Sequence, residues 1–405
     1  MTTIKVKIDA NRGQISVWNN GKGIPIVMHS KEKVYVPELI FGHLLTSSNY
    51  NDSVKKVTGG RNGFGAKLAN IFSKKFTITT ADSTNKKKYS QLFKSNMSEK
   101  CEPKIEPYSG EDYTEVVFEP DLRRFHMQGG IDADMRSLLE KRVIDLAGVT
   151  PNSVSVYLNN KKISKVKSFQ SYVDLYFKQD GQEETKVFKA YEAVGARWEV
   201  CVAQSDSGQF QQVSFVNSIN TSRGGSHVEL VANQIVDRVL AAIQKKHKKL
   251  EVKKPQVRQN LWVFVNAQIE NPAFDSQTKE TLTSNQRAFG SKCELSESLL
   301  KKVVASSITE SVVYSVEARQ NAQLKRALGT GGKKKRQLFG IDKLEDANLA
   351  GTSHGSSCTL ILTEGDSAKA LAMAGLQIVG RDRYGVFPLK GKLMNVRDAS
   401  TNMIL

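Results

Sequence analysis

The chain has 405 residues, 39% of them hydrophobic and 25% charged, enough for roughly two to four domains with ordinary cores. No window approaches the ~18 consecutive apolar residues of a membrane span, and the opening "MTTIKVKIDANRGQ" lacks the apolar core of a secretory signal, so an intracellular protein is expected. The net charge of +18 favours a polyanionic partner, nucleic acid first, because clustered Lys and Arg release the counterions condensed on it.

In chain order, "MTTIKVKID" reads as a strand, and "ISVWN" alternates as a second strand ending at Asn19. "VPELIFGHLL" has helical spacing behind a proline start, "AKLANIFS" is an apolar helix, and "KFTITTA" and "TEVVFEP" are further strands. From about residue 165 the pattern changes to strands "RWEVCVAQ" and "QVSFVNSI", a long helix from about Ser226 to Lys246, and the strand "LWVFVNAQI", which predicts a second α+β domain. A single helix is expected from about Glu294 to Arg326, with Leu299, Val303, Ile308 and Val312 on its apolar positions. "GTGGKKKR" breaks it and places a linker at 327–356, after which the apolar strand "CTLILTEG" opens a third domain. The four cysteines are far apart with no metal-ligand spacing, and are expected to be reduced and mostly buried. Basic runs occur at residues 86–88, 245–254 and 333–336. Each alone is as readily a solvated face or a localisation signal, and the three together favour DNA or RNA.

Two glycine elements carry the chemistry. In "GGRNGFGAKLANIF" the glycines immediately precede a helix, so backbone amides and the positive helix end can face an anion, although glycines also serve plain tight turns. The spacing is neither a Walker loop nor a dinucleotide fingerprint. "NNGKGIP" follows a strand directly; Asn19 there is placed to accept from an adenine amino group, and Gly21 and Gly23 let a base approach the backbone. Between them "LLTSSN" offers Ser47, Ser48 and Asn49 for sugar and phosphate, although on their own they read more readily as a helix cap. Downstream, "QTK" presents Lys279 on a turn, where an ammonium can reach a terminal phosphate, the bland alternative being a surface lysine. Glu364 leaves a strand end just before the helix "SAKALAMAG", the place where open α/β sheets put active sites; Asp366 reads more readily as a helix cap.

"NNGKGIP", "LLTSSNY" and "TGGRNGFGAK" together resemble the ATPase domain of the eukaryotic type IIA DNA topoisomerases, within the superfamily shared with gyrase, mismatch-repair ATPases, histidine kinases and heat-shock chaperones. "ENPAFDSQTKETL" resembles the family's transducer loop, "LILTEGDSAKALA" the opening of its TOPRIM domain, and "GVFPLKGKLMNVR" the segment after it, in the family's order over essentially the whole chain. The resemblance implies a multidomain α+β and α/β fold: a GHKL (Bergerat) ATPase sandwich over 1–164, a ribosomal-S5-like transducer over 165–326, a basic linker over 327–356 and the start of a TOPRIM domain over 357–405.

For the site it implies that Asn19 contacts adenine and that Ser47, Ser48 and Asn49 contact sugar and phosphates. Gly60, Arg61, Asn62, Gly63, Phe64, Gly65, Ala66 and Lys67 would cover the triphosphate, and Gln277, Thr278 and Lys279 would reach it from the second domain. Glu364 would hold Mg2+ for DNA cleavage, while Lys245, Lys246, His247, Lys392 and Asn395 would contact DNA. ATP and Mg2+ are the implied cofactors, double-stranded DNA the partner, and a nuclear homodimer the full-length form, with no membrane association.

The family's upstream helix, which carries its water-activating glutamate and metal-binding asparagine, has no counterpart in the 18 residues before Asn19, nor do the Asp-x-Asp ligands and nucleophilic tyrosine occur before Leu405. The expectation is an internal fragment with weak or no ATP hydrolysis and no DNA cleavage of its own. A nonenzymatic ATP-regulated clamp or chaperone is the alternative from another class, and "EGDSAK" argues against it because a chaperone needs no acidic metal site.

Overall fold

The computed structural model describes residues 1–44, 46–47, 53–60, 63–127, 129–177, 187–248, 250–327, 341 and 343–389, with backbone only for 320–327. The chain divides into two compact units, one of residues 1–202, 212–234 and 263–299, the other of residues 203–211, 235–262 and 300–405.

A nine-stranded sheet organises the N-terminal part of the first unit. Its central strands are Thr3–Asp9, Gln14–Asn20, Tyr113–Pro120, Ser73–Asp82 and Lys87–Lys94, paired antiparallel, with Ser155–Leu158 added parallel to the first. The alternation in "TIKVKID" does what period two demands: Ile4, Val6 and Ile8 are buried while Lys5 and Lys7 face solvent. On the buried face, Phe76, Ile78, Tyr89 and Phe93 pack with Ile26 and Phe41 into a core. Helix Val36–Gly42 contributes Phe41 to it, and helix Phe64–Ile71 lies beside that helix. Neither the strand Lys87–Lys94 nor the helix Ala133–Val149 is among the elements expected from the sequence. In the helix, charged residues interrupt the apolar spacing, and Asp145 is buried because the hydroxyl of Tyr172 and the ammonium of Lys141 both donate to it.

A second, five-stranded sheet runs in the order Lys189–Val194, Trp198–Gln204, Leu261–Ala267, Gln211–Val216, Ile219–Asn220. The helix Ser226–Lys246 has the expected bounds, and its stripe Val228, Val231, Ala232, Ile235, Val239 and Ile243 is fully buried at three- and four-residue spacing. The helix expected as one piece from about Glu294 is two, Glu297–Val304 and Ser307–Ala327. Ser306 interrupts it: its hydroxyl donates to the Val303 carbonyl and accepts from the Ile308 amide, ending one helix and capping the next.

In the C-terminal part, Thr359–Thr363 and Tyr384–Pro388 pair in parallel across the helix Asp366–Val379. Residues 343–356, expected as linker, fold back on this βαβ unit: Glu345 bridges to Val386 and pairs with Arg381, and Lys343 pairs with Asp366. Local composition hid this, because the strand edge that receives them lies some forty residues downstream in sequence. Cys201 and Cys293 are buried, and burial pushes both thiols up to about 12; Cys101 and Cys358 are half-buried, and all four are free thiols. No helix among the described residues is long and apolar enough to cross a membrane.

Candidate functional site

The strand Gln14–Asn20 leads into the first glycine element, which is fixed by acceptors from the neighbouring strands. Asp112 accepts from the amide of Gly23, Thr80 from that of Ile24 and Asp82 from that of Ile26. Gly23 is required by space, since a Cβ there would fall on the Ala81 carbonyl oxygen. Burial raises the pKa of Asp82, but hydrogen bonds from the Asn85 side chain and from the Ile26 and Asn85 amides outweigh it and hold the carboxyl below its ordinary value. These three side chains were not marked from sequence; the only local signal was a polar run at a strand end.

The second glycine element enters helix Phe64–Ile71 through Gly63, whose φ of 66° is the left-handed conformation that favours glycine. A Cβ at Gly63 would stand 2.7 Å from the Thr46 carbonyl oxygen, so glycine is needed for space as well. Lys67, one turn on, is only 2% exposed. Its ammonium donates to the carbonyls of Thr46 (2.7 Å) and Gly63 (3.1 Å), and burial lowers its pKa. Thr46 is itself held by hydroxyl bonds to the Leu39 and His43 carbonyls, and Asn70 donates to the Phe41 carbonyl, so the two helices and Thr46 form one braced frame.

From the other side comes the turn Ser276 to Lys279. The hydroxyls of Ser276 and Thr278 bond each other, the Asp275 carboxylate accepts from the Thr281 amide, and Lys279 sits at φ 59°. The Lys279 ammonium donates to the carbonyl of Gly59 at 2.9 Å, and burial lowers its pKa as well.

Between these elements lies a cavity of about 610 Å³. Ser47, Gly60, Gly63, Phe64, Gly65, Ala66, Lys67, Gln277 and Lys279 line it, as do Gly59, Thr46 and Phe274. Nine of the expected residues, about 230 positions apart at the extremes, are thus brought to one space of ligand size. No Asp or Glu is among its described lining residues, while the buried Lys67 ammonium and the half-buried Lys279 ammonium, each bonded to neutral carbonyls, supply uncompensated positive charge. Such a site takes an anion. Asn19 is not among the lining residues; its amide donates to the Asn20 carbonyl. Thr278 is exposed at the turn and likewise does not line the cavity. Ser48, Asn49, Arg61 and Asn62 lie outside the described residues.

The remaining expected residues are dispersed. Lys245 and Lys246 are exposed on the last turn of their helix, where cations complement its dipole, and His247 follows half-buried. Lys392 and Asn395 lie outside the described residues. Glu364 is exposed at the end of Thr359–Thr363, and no described group hydrogen-bonds to its carboxylate, whereas Asp366 is engaged by Lys343 at 2.6 Å. Among the described residues no three His, Cys, Asp or Glu converge. One carboxylate does not make a metal site by itself, so the described residues fit Mg2+ only as a partial shell to be completed from elsewhere.

Comparison with known proteins adds a second line of information. The family model described as DNA gyrase B matches residues 168–328. The chain is 53% identical to the DNA topoisomerase 2 of Pisum sativum over its whole length, covering 27% of that protein, and 52% identical to human DNA topoisomerase 2-alpha, covering 26%. It therefore spans about a quarter of the length of the curated relatives it matches. The solved ATPase region of Saccharomyces cerevisiae topoisomerase II superposes with a TM-score of 0.72 at 44% identity, covering 78% of this chain and 80% of that one.

Proposed function

The chain belongs to the type II DNA topoisomerase family, and on that premise we propose that its cavity binds ATP as part of an enzyme that changes DNA topology by transient double-strand breakage, duplex passage and rejoining. The observation that carries the reading is the cavity itself: a glycine-rich helix start, the buried Lys67 and the half-buried Lys279 from distant parts of the chain, with no described lining acid, form an anion site of ligand size.

The roles follow from position. Gly60, Gly63 and Gly65 offer backbone amides without side-chain obstruction, and Lys67 holds the helix start against Thr46 while adding fixed positive charge. Lys279 reaches the terminal phosphate by exchanging its bond to the Gly59 carbonyl for one to a phosphate oxygen, which would report the nucleotide to the sheet that carries the turn. Asn19, Ser48, Asn49, Arg61 and Asn62 complete the nucleotide contacts by resemblance. Residues 1–164 serve as ATPase domain, 165–326 as transducer and 357–405 as the TOPRIM start. Double-stranded DNA is the substrate, met by Lys245, Lys246, His247, Lys392 and Asn395 through sequence-independent phosphate contacts, and the full-length protein acts as a nuclear homodimer. Mg2+ supplies charge neutralisation on phosphate, and Glu364 is the residue of this chain that would hold it at the cleavage site.

The test is calorimetric titration of the chain with adenylyl imidodiphosphate, a non-hydrolysable ATP analogue. Saturable one-to-one binding competed by ATP is expected, and no detectable binding at millimolar nucleotide overturns the reading.

A further inference from the structure

The stretch of chain that leads into the glycine loop is held along its length by the loop that delivers Lys279. Asn271 accepts from the Lys56 amide (3.1 Å), donates its own amide to the Lys56 carbonyl (2.9 Å), and donates its side-chain amide to the Val54 carbonyl (3.3 Å). One residue earlier, Glu270 pairs with Lys55 and with Arg197, whose hydrogen bond holds its carboxyl below the ordinary range. Further on, Asn217 donates to the Thr58 carbonyl (3.2 Å), and Gly59 lies against Ile219 so closely that a Cβ would overlap that side chain. Both asparagines adopt left-handed backbone, φ 43° at Asn271 and 50° at Asn217, and the side-chain amide of each meets this segment. Only residues 60–62 separate the last of these anchors from Gly63, itself fixed by Lys67.

We propose that Asn271 is a positioning residue for the cavity: by clamping Val54 and Lys56 it sets where Gly59 and Gly60 stand relative to Lys279. The inference rests on the nucleotide reading given above. Without the clamp, the helix start and Lys67 keep their places, but Gly59 and Gly60 no longer meet Lys279 in one geometry, so anion affinity falls while the fold persists. Asn217 acts in the same direction from the neighbouring turn, with a single bond to the segment.

The test uses the whole chain and two variants. Asn271→Gly keeps the left-handed backbone and removes the side-chain bonds to Lys56 and Val54; Asn271→Asp keeps the acceptor for the Lys56 amide and loses the bond to Val54. Calorimetric titration with adenylyl imidodiphosphate, run well below each variant's melting temperature, should show about tenfold weaker binding for Asn271→Gly and recovery to within about threefold for Asn271→Asp. Hydrogen exchange should show faster exchange at the amides of residues 56–60 in Asn271→Gly, with that of strand Ser73–Asp82 unchanged. Unchanged affinity in Asn271→Gly overturns the proposal while leaving the nucleotide reading intact. A loss of affinity accompanied by loosening of the whole first unit also overturns it, since the role would then be merely structural. A wild-type chain that binds no nucleotide sinks the parent reading and this inference with it.

Discussion

Replacing Lys279 by Met removes the ammonium and little else. Met has a similar length and carries the same backbone cost at φ 59°, so the comparison reads the charge rather than the turn. The lost interaction with the folded protein is one hydrogen bond to the Gly59 carbonyl, worth about 1 kcal/mol, set against relief from burying an ammonium group, so stability should stay within ~1 kcal/mol. Nucleotide binding should not be spared. A charge-assisted hydrogen bond to phosphate contributes about 1.5–3 kcal/mol, which is about 10- to 150-fold in affinity. If the ammonium reaches the terminal phosphate, adenylyl imidodiphosphate should lose affinity by that factor and ADP by less than about threefold. The pH dependence gives an independent check. Burial depresses the pKa of Lys279 below 10.5 in the free protein, and only the protonated form makes the contact, so affinity should decline as pH rises through the depressed value; Lys279→Met should show a shallower decline, the remainder coming from Lys67, whose pKa burial also lowers. Equal losses for the triphosphate analogue and ADP, or a change below threefold for both, would refute the assignment.

Gly23→Ala should destabilise the first unit by roughly 3 kcal/mol or more, because the added Cβ meets the Ala81 carbonyl at the end of a central strand; a melt within 1 kcal/mol of wild type would contradict the close approach. Glu38→Gln tests the ion pair behind helix Val36–Gly42. Burial raises the Glu38 pKa, but hydrogen bonds from Lys100 at 2.6 Å and from Gln91 hold it below 4.5, so its contribution is present above that pH and lost as pH falls through the lowered value. The variant should cost about 1–3 kcal/mol at pH 7, and the gap from wild type should narrow in urea melts as pH falls below 4.5; a constant gap would remove the carboxylate from the account. Glu364→Ala, at an exposed strand end, should leave chain stability within ~0.5 kcal/mol yet abolish metal-dependent DNA cleavage in the complete parent protein; retained cleavage would strike Glu364 from the site.

The sequence by itself determined the elements and the kind of chemistry. "TIKVKID" declares a half-buried strand because side-chain alternation is a local property of the backbone, and "GRNGFGAKL" declares a helix start because a left-handed glycine and the amides after it are neighbours in the chain. The order of such stretches was enough to indicate the family. What the tertiary structure decided is which groups meet. Lys279 reaches Gly59 across 220 residues and Asn271 reaches Lys56 across 215, and a single side chain bonded to a distant carbonyl or amide leaves no period or spacing in the sequence. The same limit explains a misplaced element: the helix expected to run unbroken from about Glu294 stops where the Ser306 hydroxyl competes with the backbone. Lys67 is expected at the triphosphate, but its burial is not legible in the sequence; only the packing of Thr46 against the helix start, together with Gly63, provides the two carbonyls that make its burial tolerable.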